Sequence, residues 1–162
     1  MLPWVPKGQR MNRPLKGMRI LAAEDDPTEA FLLKRAFLRA GIDVPLDFVA
    51  DGQQAIDYLA GQQGFADRAS HPMPTVLLLD LKMPRVDGFQ VLEWIRQQPL
   101  LRRLPVVVLT NSDLDEDVNR AFDVGANSYL RKPDNMPALE ELVRILEQYW
   151  IETNRPPVKE TT

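Results

Sequence analysis

Residues 75–80 read Thr-Val-Leu-Leu-Leu-Asp (TVLLLD), and the chain's architecture turns on them. Val76 to Leu79 leave no polar face for water, and a run this short fits a strand covered on both sides better than a helix. Residues 105–110 (PVVVLT) repeat the pattern. Both runs end in a residue able to do chemistry, Asp80 and Thr110.

Outward from these strands the chain alternates. Arg19–Glu24 holds the apolar run Ile20, Leu21, Ala22, Ala23. Pro27 then suits a helix start, Ala30, Leu33, Phe37 and Ala40 follow at helical spacing, and Gly41 ends the helix. Leu46–Val49 reads as a second strand before an Asp51-Gly52 turn. Ala55, Ile56 and Leu59 mark a second helix, and residues 61–74 a loop rich in Gly, Gln and Pro. Phe89, Leu92 and Ile95 give a third helix that stops near Pro99. Val118, Ala121 and Phe122 give a fourth, closed by Gly125. Ser128–Arg131 is the fifth strand. Leu139, Leu142, Val143, Leu146 and Tyr149 mark a fifth helix entered through Pro137. Five strands alternating with five helices predict an α/β domain: a doubly wound, five-stranded parallel sheet in the flavodoxin-like order 2-1-3-4-5, with helices on both faces.

At 162 residues the chain suffices for one domain with a real core. Residues 18–150 form that domain. Residues 1–17, with Pro3, Pro6, Pro14 and four cationic side chains but no acid, read as a flexible basic arm; starts at Met11 or Met18 would remove some or all of it. Residues 151–162 read as a polar tail that frays. A net charge of -3 argues against a dedicated nucleic-acid binder, which needs a clustered basic face. The absence of cysteine excludes a disulfide scaffold or thiolate metal site and fits a cytoplasmic setting. No apolar run is long enough to span a membrane.

In a doubly wound sheet the site lies beyond the carboxyl ends of the strands, where strand order reverses. Glu24-Asp25-Asp26 end the first strand there, Asp80 the third, Thr110 the fourth and Lys132-Pro133 the fifth. Singly, each is ordinarily a solvated group. Together they have a chemical logic. Clustered carboxylates call for a cation, and an all-oxygen set with open positions suits Mg²⁺. An Asp carboxylate can attack phosphorus and form an acyl phosphate. The transferring group spreads negative charge, which a metal and a fixed cation such as Lys132 stabilise, while Thr110 can donate to a phosphoryl oxygen.

The segments ILAAEDDP, LLLDLKMPRVDG, VVLTNS and GANSYLRKP occur in the order and at the spacing of response-regulator receiver domains. From about Arg19 to Trp150 the chain resembles that family. The resemblance implies that Asp80 is the phosphoacceptor. It implies that Asp25 and Asp80 ligate Mg²⁺ with the backbone carbonyl of Lys82, and that Glu24 acts through the metal's water. It also implies a cis peptide at Lys132-Pro133, and a switch in which Thr110 moves toward the phosphoryl group and Tyr129 swings inward. Tyr129 as a simply packed residue is the plainer alternative. Lys82 stands where small or polar residues are frequent, and Asn111 where a small one is; either side chain could touch the site, or Lys82 could offer only its carbonyl.

No output domain is evident after the fifth helix, so the signal is expected to leave by protein contact. The 61–74 loop, LTNSD and the GANSYLRKP…YW ending resemble single-domain regulators that partner bacterial phytochrome-type sensor histidine kinases and form homodimers through the helix 4–strand 5–helix 5 face. Trp94 and Trp150 fall off the core spacing and Tyr149-Trp150 end the last helix, either as a partner surface or packed on a nearby loop. A haloacid-dehalogenase-type phosphatase needs a second acid where Lys82 stands. A pseudo-receiver acting as a constitutive binding module would have lost Asp80, Asp25 or Lys132, and all three are present.

Overall fold

A computed structural model describes residues 17–158. Five strands, β1 (Ile20–Ala23), β2 (Leu46–Val49), β3 (Val76–Leu79), β4 (Val106–Thr110) and β5 (Ser128–Arg131), form one parallel sheet in the order β2-β1-β3-β4-β5. Helices α1 (Pro27–Arg39), α2 (Gly52–Ala60), α3 (Gly88–Gln97), α4 (Asp115–Val124) and α5 (Met136–Leu146) cover it. The predicted fold class and strand order are therefore found.

The strand alternation sorts the core into two layers. Leu21, Ala23, Leu77, Leu79, Val106 and Val108 point into the layer shared with α2, α3 and α4. Their neighbours Ile20, Ala22, Val76, Leu78, Val107 and Leu109 point into the layer shared with α1 and α5. This double burial is why the three central strands have no polar residue before their last position.

Short polar residues fix where helices begin, and so aim the loops at the carboxyl edge. Asp26 caps α1, its Oδ1 accepting from the Thr28 amide at 2.8 Å. Asp51 caps α2 and Asn135 caps α5 in the same way. Asp87 opens α3 in a capping box with Gln90. Gly88 allows the closest approach in the chain that bears on the site. A Cβ there would lie 2.3 Å from the carbonyl oxygen of Asp80 and 2.7 Å from the Leu81 Cα, so only glycine lets α3 start against that backbone.

Three expectations need correction or delimiting. The Lys132–Pro133 bond is trans, since no cis peptide occurs among the described residues; trans is the intrinsically favoured form before proline. The chain does not fray after Trp150. A π-helical extension, Glu147–Thr153, continues α5, and Ile151 is fully buried in the second layer. Beyond it Pro156 and Pro157 line, with Trp94, Met73 and Leu104, a cavity of about 960 Å³ at the amino ends of β3 and β4. The basic arm, apart from Gly17, and the last four residues of the tail lie outside the described residues.

Trp94 packs half-buried against the first layer and Trp150 against the second. Only Tyr149 stays largely in solvent, with its ring edge-on to Trp150 at 4.9 Å between centroids.

Candidate functional site

Parallel pairing brings the strand ends together. Asp80 donates its amide to the Ala23 carbonyl at 3.2 Å, which sets the end of β3 beside the acids after β1. Glu24 and Asp80 are buried, Asp25 is partly so, and one carboxylate oxygen from each lies within 4.8 Å of the other two. This oxygen-only trio could hold a hard divalent cation. Asp26 is not part of it: its carboxylate is occupied as the α1 cap.

Lys132 closes the site from β5. Its Nζ lies 3.5 Å from Asp80 Oδ2 and donates to Glu24 Oε2 and Glu29 Oε2. Its amide donates to the Thr110 carbonyl at 2.7 Å, tying the ends of β4 and β5. Burial alone would lower the Lys132 pKa, but the Glu24 and Glu29 carboxylates outweigh it and hold it above its usual value. Glu24 goes the other way. Burial, with the charge of Asp80 adding to it, pushes its carboxyl up to about 7 despite the bonds to Lys132. Burial would raise Glu29 as well, yet its bonds to Lys132 and Asn111 win and lower it.

Thr110 ends β4 fully buried. The Ser112 amide donates to its Oγ1 at 3.5 Å. Tyr129, half-buried in the first layer, already points inward, and its hydroxyl donates to the Ser112 carbonyl at 2.9 Å. Ser112 Oγ in turn donates to Asp117 Oδ2 at 2.5 Å in the first turn of α4. Thr110, Tyr129 and the start of α4 are thus joined through one loop residue. The Lys82 side chain is exposed.

Sequence reasoning missed Glu29 and Ser112. Glu29 lies in the first turn of α1, where an acid is favoured by the helix dipole in any helix, so no signal set it apart. Asn111 does reach the site, but through Glu29: its Nδ2 donates to Glu29 Oε1 at 2.6 Å.

Residues 20–144 match the response regulator receiver domain family. Among curated relatives, the probable methanogenesis regulatory protein FilR2 of Methanothrix harundinacea is 41% identical over 138 residues, covering 85% of this chain and 86% of FilR2. Among solved structures, response regulator RPA3017 in red light signaling of R. palustris superposes with a TM-score of 0.83 at 39% identity, covering 88% of this chain and 99% of that one. The phosphorylated cyanobacterial phytochrome response regulator RcpA superposes with a TM-score of 0.79 at 31% identity, covering 87% and 99%.

Proposed function

We propose, from the premise that this chain belongs to the response regulator receiver domain family, that it is a stand-alone regulator of a two-component system, accepting a phosphoryl group onto Asp80 from the phosphohistidine of a sensor kinase. The observation that carries this is the convergence on Asp80, at the end of β3, of two further carboxylates from the end of β1 and one lysine from the end of β5.

In the reaction an Asp80 carboxylate oxygen attacks phosphorus. The P–O bond to Asp80 forms as the P–N bond to histidine breaks, and that electron pair leaves with the imidazole. Asp25 and Asp80, with the Lys82 backbone carbonyl, would hold Mg²⁺, and Glu24 would act through its water. When bound, the cation neutralises charge on the transferring phosphoryl oxygens. Lys132 supplies a second, fixed positive charge 3.5 Å from the acceptor. Thr110 is placed to donate its hydroxyl to a phosphoryl oxygen. The chain has no other substrate in this reading; it catalyses only its own phosphorylation and dephosphorylation.

The output we propose is a change at the α4–β5–α5 face. Leu114, Phe122, Ile145 and Tyr149 on or beside these elements are each about half exposed, an apolar surface suited to a homodimer. A phytochrome-type sensor histidine kinase as partner is supported by the likeness to RPA3017 and RcpA. A cytoplasmic location is proposed from the family alone; no helix among the described residues is long and apolar enough to cross a membrane.

The test is labelling by acetyl phosphate with and without Mg²⁺, with size-exclusion chromatography before and after. Labelling that requires Mg²⁺ and is absent in Asp80→Asn is expected. A labelled Asp80→Asn protein would overturn the assignment.

A further inference from the structure

Lys132 has three N–H donors and three carboxylates around it. Glu24 and Asp80 belong to the trio that could hold the cation. Glu29 does not, yet it takes one donor of Lys132 outright. Both Glu29 oxygens are engaged, Oε2 by Lys132 and Oε1 by Asn111 at 2.6 Å. Its backbone is held as well, because its amide donates to the Asp26 cap at 3.3 Å. One side chain on α1 is thereby strapped to the loop after β4 and to the residue after β5. The Lys132 side chain is only 12% exposed, so its ammonium has few places to turn.

A phosphoryl group on Asp80 would bring new oxygens to the carboxylate that Lys132 now meets only at 3.5 Å. Glu24 and Glu29 already take two of the three Lys132 donors, so only one is left to face the phosphoryl oxygens unless a partner lets go. Glu24 has a second duty toward a cation; Glu29 has none.

We propose that Glu29 is a positioning residue for phosphoryl transfer: clamped by Asn111, it competes with the incoming phosphoryl group for Lys132 and so slows the charging of Asp80. This rests on Asp80 being the phosphoacceptor. Asn111 acts at one remove, by deciding how firmly Glu29 holds on.

The experiment is a double-mutant cycle on the full chain, read as the initial rate of labelling at saturating acetyl phosphate and Mg²⁺. In that reaction the Asp80 O–P bond forms as the acyl O–P bond of the donor breaks and acetate leaves. Glu29→Gln is expected to label about twofold to fivefold faster than the unmodified chain, the worth of one partly exposed ion pair. Its Mg²⁺ midpoint should be unchanged. Asn111→Ala, which alters no charge, is expected to give part of that gain alone and no further gain in the Glu29→Gln background. Merely structural damage would lower the rate rather than raise it, and thermal midpoints confirm that each variant folds. An unmodified chain that does not label removes the phosphoacceptor reading itself. Glu29→Gln labelling at or below the rate of a competent unmodified chain overturns the positioning role alone. So does an Asn111→Ala gain that persists in full without Glu29, because a general change of field would then explain the data.

Discussion

The ammonium of Lys132 stands 3.5 Å from Asp80 Oδ2, on the far side of the acceptor's strand from β2 and reached only because β4 and β5 extend the sheet that way. It sets a positive charge beside the place where a phosphoryl group would form. Lys132→Ala is expected to lower the initial rate of Mg²⁺-dependent labelling by about 10²-fold, the usual worth of one preorganised charge. The same substitution leaves Glu24, Glu29 and Asp80 facing one another without compensation. Unfolding in urea should show a loss on the order of 3 kcal/mol without metal. A variant that labels at the normal rate would remove Lys132 from the chemistry.

The acidic trio makes a related claim about metal. Three carboxylates within 4.8 Å repel, so a cation that binds only the folded chain should raise its stability by RT ln(1 + [L]/Kd). Millimolar Mg²⁺ is expected to raise the thermal midpoint of the unmodified protein, and Asp25→Asn should lose most of that rise. Glu24→Gln removes one repelling charge and should stabilise the metal-free protein while weakening its response to Mg²⁺. Differential scanning calorimetry with and without chelator checks both; an equal Mg²⁺ response in Asp25→Asn would count against the site.

Gly88 ties the helix array to the site. Its missing Cβ would sit 2.3 Å from the Asp80 carbonyl oxygen, so Gly88→Ala must push α3 away or shift the acceptor's own backbone. Overpacking of this kind costs about 1–3 kcal/mol. The expected result is lower stability together with slower labelling, because the backbone displaced is that of the acceptor. Gly52→Ala, which meets the Val86 carbonyl at 2.1 Å, should destabilise similarly with a smaller effect on labelling.

Most of this was legible in the sequence, and the reasons are local. Val76–Leu79 and Val106–Leu109 fit doubly covered strands better than helices, and their common direction placed Asp80, Thr110, Glu24 and Lys132 at one edge. What stayed hidden depended on contacts across elements. Glu29 reads as an ordinary first-turn acid until β5 delivers Lys132 to it. Asp26 looks like a third member of the acidic cluster until the α1 amides claim it. The end of α5 misled because Ile151 lies five residues beyond Leu146, off the ordinary helical stripe; the wider π turn is what brings it under the sheet. Ile151→Ala is accordingly expected to cost about 2–5 kcal/mol, as for any fully buried Ile, whereas a frayed tail would lose nothing. Urea denaturation separates the two.

Tyr129 carries the last prediction. Its hydroxyl donates to the Ser112 carbonyl at 2.9 Å, and Ser112 reaches both Thr110 and Asp117. The entry of α4 has no side-chain cap of its own at Leu114, so this loop is what holds the start of the helix. A movement of Thr110 toward a phosphoryl group would pull on Ser112, and the Tyr129 bond would pass the pull to the α4–β5–α5 face. Tyr129→Phe keeps the packing and removes only that link, at a stability cost of about 0.5–1.5 kcal/mol. It should accept phosphate at the normal rate, since Tyr129 touches none of the reacting groups. Amide exchange across residues 112–118 should be faster than in the unmodified protein, and beryllofluoride should alter it less. If exchange in that segment responds to beryllofluoride equally with and without the hydroxyl, Tyr129 is a packing residue and the signal leaves by another route.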